Sequence, residues 1–178
     1  MAVTLTGERL VLEPMGTGDI AFFHRINNDA FVGRYLWDDE AVPRGVSEDI
    51  LQGVAAAFAE AGWGLWRIMA HADGRAVGYA GLWTFFDEPQ PQLLYALQEE
   101  HTGLGYATDA ASLVLDHTFN TLGFEYVDAS MDVEHEHSAL VCERLGFRMH
   151  DEREADGKLT RFYRMHASDW KSQQGFCV

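Results

Sequence analysis

The sequence predicts a mixed α/β fold: one mixed β-sheet of about seven strands flanked by about four helices. Three observations carry this reading. Strand-like runs and amphipathic stripes alternate in the order β α α β β β α β α β β. Residues 92–97, a helix over 105–122 and a run at 124–131 form a crossover unit. Its helix is long enough to return the chain parallel to its start. The 178 residues, 47% hydrophobic and 23% charged, suit one domain over 1–178 with an ordinary core and no disulfide or metal staple.

Each element has its own local cause. Residues 3–12 read as a strand through Leu5, Leu10 and Leu12, ended by Glu13-Pro14. Thr17 can cap a helix carrying Ile20, Phe23 and Ile26 on one face, stopped at Asn27-Asn28. Ser47, with Glu48 and Asp49 near the positive helix end, opens a second helix. Ile50, Leu51, Val54 and Phe58 form its apolar stripe, and Gly62 ends it. Three strands follow at 63–69, 76–85 and 92–97. Asp73-Gly74 is a hairpin signal between the first two, and Pro89 and Pro91 mark the next turn. On the 105–122 helix, Ala107, Ala111, Val114, Leu115, Thr118, Phe119 and Leu122 share a face, with Gly123 as its C-terminal glycine. A strand at 124–131 and a short helix at 138–145, closed by Gly146, come next. The runs 147–150 and 160–165 form a last antiparallel pair joined through Asp156-Gly157.

Charge narrows the function. Lys plus Arg number 13 against 28 Asp plus Glu, a formal net charge of −15. Such a field repels phosphate backbones and anionic lipid, which argues against nucleic-acid and membrane-surface partners and favours cationic ones. Two cysteines, Cys142 and Cys177, make no disulfide framework and fit a reducing compartment. Glu8 and Arg9 interrupt any N-terminal targeting run, and no stretch approaches the ~18 apolar residues of a membrane span. The expectation is a cytoplasmic protein, as a monomer or homodimer.

The chemistry-bearing stretch is His101-Thr102-Gly103-Leu104-Gly105-Tyr106-Ala107-Thr108, between a strand and the longest apolar stripe. A helix's first turn offers N–H groups without intrahelical partners, and Gly103 and Gly105 let an anion approach them. Strand, glycine turn and helix together form a pyrophosphate cradle. The pattern lacks the third glycine of a dinucleotide fingerprint and the Gly-Lys-Ser/Thr of a Walker loop.

The run Tyr95-Ala96-Leu97 followed by 103–110 resembles the acyl-CoA-binding motif of the GNAT superfamily of N-acyltransferases. His135-Glu136-His137-Ser138 with Arg144-Leu145-Gly146-Phe147 resembles its second motif. Glu8-Arg9-Leu10-Val11-Leu12, with Asp19 after it, resembles the start of the branch containing the bacterial ribosomal-protein N-terminal (Rim-type) acetyltransferases. The resemblance runs over about residues 5–166. It implies a twisted sheet whose two central parallel strands, here 92–97 and 124–131, splay apart around acetyl-CoA, with no metal. It implies cofactor contacts at Tyr95 and Leu97, along Thr102, Gly103, Leu104, Gly105, Tyr106, Ala107 and Thr108, and at His135, Ser138 and Arg144. Three positions depart from the family pattern. Thr102 opens the glycine loop in place of Arg, Gln or Trp; His135 replaces a pantetheine-binding Asn; Glu13 stands where the branch usually has Arg.

Acyl transfer from a thioester to an amine needs a neutral amine, donors for the oxyanion and a proton for the leaving thiolate. By resemblance, Ser138 faces the CoA sulfur and the Leu97 backbone N–H is the oxyanion donor. Ser138 also reads as a first-turn cap. The base is open: Gln92 replaces a frequent Glu, so Glu88 is the first candidate, with Asp87, Asp132 and Glu134 as rivals. An α-amino acceptor, with a reference pKa near ~8, needs only a weak base. Cys142 reads as a buried filler rather than a nucleophile. His135 and His137 are two apart, which opposes them on a helix and argues against a metal site. Trp37 and Asp38, leading into Asp39 and Glu40, are the acceptor-binding candidates. The sequence thus reads as an acetyl-CoA-dependent N-acetyltransferase acting directly on a primary amine, a small molecule or a protein N-terminus. The alternatives are a non-catalytic acyl-CoA-binding module on the same fold, and an unrelated nucleotide-binding domain.

Overall fold

A computed structural model describes residues 2–86 and 88–174. Asp87, a rival for the base, and Cys177 lie outside the described residues. The expected 3–12 strand breaks in two: the Gly7 N–H donates to the Leu10 carbonyl (2.9 Å), turning β1 (Leu5–Thr6) back along β2 (Leu10–Pro14). After α1 (Ile20–Asn27), α2 (Ala30–Leu36) and α3 (Arg44–Ala61), the chain forms β3 (Leu65–Ala70), β4 (Ala76–Trp83) and β5 (Gln92–Leu97). Next are α4 (Tyr106–Asp116), β6 (Tyr126–Asp132), α5 (Glu136–Leu145), β7 (Arg148–Ala155), β8 (Lys158–His166) and α6 (Ala167–Gln174). The sheet has eight strands in the order β1-β2-β3-β4-β5-β6-β8-β7, where about seven were expected.

Two of the six helices, α2 and α6, were not foreseen. The α2 helix is short, but Asp29 caps it, its carboxylate accepting from the N–H groups of Phe31 (3.0 Å) and Val32 (3.3 Å). Ser47 does not open α3. That helix starts at Arg44, behind Pro43 in an extended conformation, and Ser47 is buried in its interior, 3.2 Å from His24 Nδ1. The longest apolar stripe continues past α4 as a π-turn over His117–Thr121, in which the Leu122 N–H reaches the His117 carbonyl (3.1 Å).

Leu10, Leu12, Leu65, Trp66, Ile68 and Leu82 are fully buried, and α4 packs on β2, β4 and β5. Every neighbouring strand pair is antiparallel except β5 and β6, which are parallel and share a single register pair, Gln92 with Asp128. Beyond that pair the strands diverge, as the family resemblance implied. The pair is pinned from both sides. The Ser130 hydroxyl donates to Gln92 Oε1 (2.6 Å), and Arg164 on β8 grips both oxygens of Asp128 (2.7 Å each).

A buried amide fixes the helices beside this opening. Asn27 Oδ1 accepts from the Tyr79 hydroxyl on β4 (2.8 Å) and from the Trp37 indole N–H (2.7 Å), while Nδ2 donates to the Phe23 carbonyl (2.9 Å). The end of α1, the chain after α2 and β4 thus meet on one fully buried side chain. Asn27→Ala strands a buried hydroxyl and an indole N–H. It should cost roughly 2–4 kcal/mol in a urea melt, against about 1 kcal/mol for Tyr79→Phe.

Candidate active site

Strand β5 aims its backbone into the opening. The Gln98 N–H points to β4, donating to the Val77 carbonyl (3.2 Å). Successive residues of a strand alternate their polar groups between its two edges. The N–H and C=O groups of Leu97 and Tyr95 therefore face β6, where no strand pairs with them.

The glycine loop lies at the end of this strand. A 3₁₀ turn, Glu99–His101, leads to Thr102, whose hydroxyl donates to the Glu99 carbonyl (2.7 Å). Gly103 (φ +72°) and Gly105 (φ +83°) hold left-handed conformations that side chains rarely adopt. The first intrahelical bond of α4 runs from the Asp109 N–H to the Gly105 carbonyl (3.0 Å), so the N–H groups before it have no helical acceptor. Arg9 braces the loop from outside. It contacts Asp109 (2.7 Å), donates to the Leu104 carbonyl (2.9 Å) and lies over the Tyr106 ring.

These elements line a cavity of about 460 Å³ that runs from Thr102, Gly103, Gly105, Tyr106, Ala107 and Thr108, past Leu97 and Tyr95, to His135, Ser138 and Arg144. A second cavity of about 230 Å³ opens between β5 and β6 and is lined by Phe85, Phe86, Met131, Asp38, Asp132, Asp156 and Lys158. Tyr35, Leu36, Tyr95, His135 and Ser138 line both.

At this junction the side chains interlock. The Tyr95 hydroxyl donates to the Ser138 carbonyl (3.1 Å). His135 stacks on Tyr35 with ring centroids 3.9 Å apart and planes 6° apart, and its Nε2 lies 3.3 Å from Ser138 Oγ. The Ser138 hydroxyl therefore meets an imidazole rather than capping a backbone N–H. Burial, with a smaller contribution from His137, lowers the His135 pKa to about 4 against the opposing pull of Asp132. Burial pushes the Cys142 thiol up to about 12 and raises Tyr95 well above its ordinary value. Cys142 is thus a neutral, fully buried side chain and not a thiolate nucleophile.

A profile of the GNAT acetyltransferase domain matches residues 9–148. The chain belongs to the GNAT acetyltransferase family. Its enzymes are acyltransferases that use acetyl-CoA, and the unrelated nucleotide-binding alternative falls away. The fold is similar to that of an acetyltransferase from Agrobacterium tumefaciens (24% identity, 93% of this chain and 95% of that one, TM-score 0.80). It is also similar to a ribosomal-protein-S5-alanine acetyltransferase from Vibrio fischeri (15% identity, 94% and 98%, TM-score 0.77). A third similar structure is RimL, a ribosomal L7/L12 alpha-N-protein acetyltransferase in complex with coenzyme A (14% identity, 94% and 99%, TM-score 0.78).

The residues present fit a CoA thioester. A run of free N–H groups and Arg144 suit its phosphates, and the unpaired edge of β5 suits its amide-bearing arm. Two expected site residues lie elsewhere. Glu88 pairs with Arg153 (2.6 Å), which itself lies over Phe162, and Glu88 is not among the residues lining either cavity. Trp37 turns inward to Asn27, whereas Asp38 lines the second cavity, gripped together with Asp132 (3.0 Å) by Lys158. Sequence reasoning missed Tyr35, because α2 was missed, and the roles of Arg9 and Lys158. Among the described residues, no group of three His, Cys, Asp or Glu side chains could hold a metal ion, and no helix is long and apolar enough to cross a membrane.

Two measurements check this geometry. Gly105→Val forces a branched side chain into a left-handed position whose Cβ would lie 2.8 Å from Arg9. CoA affinity by calorimetry should fall at least about tenfold, ~1.4 kcal/mol. The His135 imidazole should stay neutral by NMR down to about pH 4. Its folded pKa lies below the unfolded 6.5, so between these values the unfolded chain binds the proton and the folded one does not. Stability present above 6.5 is lost as pH falls toward 4, and His135→Asn should flatten this dependence in urea melts.

Proposed function

We propose that this GNAT acetyltransferase moves an acetyl group from acetyl-CoA to a primary amine by direct attack in a ternary complex. The observation that carries the reading is the meeting of two cavities at Tyr95, His135 and Ser138. One cavity suits an anionic nucleotide thioester and the other an amine.

In this reading the N–H groups between Gly103 and Thr108, with Thr102 and Leu104 shaping the loop, hold the pyrophosphate. The exposed edge at Tyr95 and Leu97 holds the pantetheine arm, with His135 and Arg144 opposite. Acetyl-CoA supplies an activated acetyl group at the junction. There the Leu97 N–H, facing the opening, stabilises developing negative charge on the acetyl oxygen. The Ser138 hydroxyl gives its proton to the departing sulfur. Glu88, held by Arg153 outside both cavities, takes no proton-accepting role in this scheme.

The acceptor cavity carries Asp38, Asp132 and Asp156 against one ammonium, Lys158. That balance suits an acceptor that arrives as a cation and loses its proton before attack. Small amines and protein N-termini both meet the requirement. The ribosomal-protein acetyltransferases among the similar structures bring the N-terminal class within this reading.

A mass-spectrometric screen of amino acids, polyamines and short peptides with free α-amino groups, run with acetyl-CoA, tests the reading. Release of free thiol that depends on the amine separates an enzyme from a binding-only module. With the best amine of that screen, Ser138→Ala should lower kcat by roughly 10²-fold while CoA affinity changes little.

A further inference from the structure

The scheme above needs a group that accepts the amine's proton, and the carboxylates nearest the site are committed elsewhere. Glu88 pairs with Arg153, Asp38 and Asp132 share Lys158, and Gln92 is an amide. Asp156, in the β7–β8 turn, lines only the second cavity and is not among the residues shared with the first. We propose that His135 is the base of the transfer, its Nε2 taking a proton from the acceptor nitrogen and returning it, through the Ser138 hydroxyl, to the departing sulfur. The proposal rests on the reading of Ser138 as proton donor.

Three features support it. His135 and Ser138 line both cavities, so the pair reaches the amine on one side and the thioester on the other. The stack on Tyr35 fixes the ring plane and sets Nε2 3.3 Å from Ser138 Oγ, within reach for transfer once the substrates close the gap. The ring is half-buried and neutral at ordinary pH, so its Nε2 lone pair is open beside Ser138. The groups facing it are Tyr35 from α2, Tyr95 from β5, His137 and Ser138 from α5, and Asp132 at the end of β6. Beyond Asp132 lies Lys158, whose ammonium pairs with it and with Asp38. Burial that disfavours the imidazolium also favours passing the proton on, which suits a relay better than a store.

The proton count closes on two side chains. The acceptor leaves its ammonium proton in bulk water and enters as the neutral amine; its nitrogen then bonds to the acetyl carbon and gives one proton to Nε2. As the carbon–sulfur bond breaks with its electron pair on sulfur, Ser138 Oγ donates its proton to that sulfur and is refilled from Nε2. His135 ends neutral, Ser138 ends as a hydroxyl, and no co-reactant beyond the two substrates is required.

The test compares His135→Asn, Ser138→Ala and the double variant, using acetyl-CoA and the best primary amine of the screen. At saturating substrate His135→Asn should lose roughly 10²-fold in kcat, with CoA affinity by calorimetry within about threefold. The double variant should fall no more than about twofold below the lower single, as expected of residues acting as a unit. In the free protein, ¹⁵N NMR at pH 7 should show the His135 Nε2 resonance moving in Ser138→Ala. Three results overturn the relay: turnover of His135→Asn within about twofold of the unaltered protein, losses that multiply in the double variant, or an Nε2 resonance indifferent to Ser138. If Ser138→Ala itself keeps its turnover, the reading of Ser138 fails. If Ser138→Ala is crippled and His135→Asn is not, the relay alone fails.

Discussion

One pairing governs this molecule: β5 and β6 pair at Gln92 and Asp128 and at no register position further along. A parallel pair in regular register would have closed the sheet and satisfied its own backbone. Here the apex is fastened by the Ser130–Gln92 hydrogen bond and the Arg164–Asp128 ion pair, and the strands part beyond it. The cost is a row of unpaired N–H and C=O groups on β5, each needing a partner. The gain is a slot through the sheet with a polar wall, which a thioester arm bearing amides can line as though it were the missing strand. Both cavities exist because of this divergence, and they meet on the residues that flank it.

The surroundings show how an acidic protein can offer a surface suited to phosphate. With a net charge of −15, long-range attraction for phosphate is unfavourable. The glycine loop offers instead backbone N–H groups at the start of α4 that have no helical acceptor, with Arg144 lining the same cavity. Arg9 spends its own charge on Asp109 and the Leu104 carbonyl, which makes it a brace for the loop before it is a source of field. On the acceptor side the acidic lip is partly cancelled. Asp38 and Asp39 follow α2 in left-handed conformations, and Lys158 ties Asp38 to Asp132 across the mouth of the cleft. Asn27 anchors the same segment through Trp37, so α2 presents Tyr35 at a fixed height over the junction.

What was legible in the sequence was local. Asp73-Gly74, Gly62, Gly146 and Asp156-Gly157 all stand at turns or helix ends with the left-handed glycine conformations their chemistry suggests. The glycine loop and the parallel crossover were readable for the same reason: strand, turn and helix follow one another directly. What escaped was decided by partners far along the chain. Arg9 finds Asp109 at a separation of 100 residues, and Lys158 finds Asp38 at 120. Trp37 resembled a lip residue until Asn27 drew it inward. Ser47 had the composition of a cap, yet the helix began a turn earlier because the Pro43 backbone was already set for it. Glu88 stood next to the expected strand in sequence, but Arg153 holds it outside both cavities.

The junction itself has a property that no single residue announces. Tyr95 and Cys142 are held protonated and His135 deprotonated, all three chiefly by burial. At neutral pH these three side chains and Ser138 are uncharged, while the charged groups stand back on the rims. Attraction between a developing charge and a fixed dipole grows as water is excluded. An uncharged junction between two charged margins therefore separates long-range electrostatics at the mouths from strong hydrogen bonding at the centre. A permanently ionised base, such as the Glu that Gln92 replaces, would have set a fixed negative charge beside the wedge apex. The buried Gln92 amide, hydrogen-bonded to Ser130, keeps that position neutral as well.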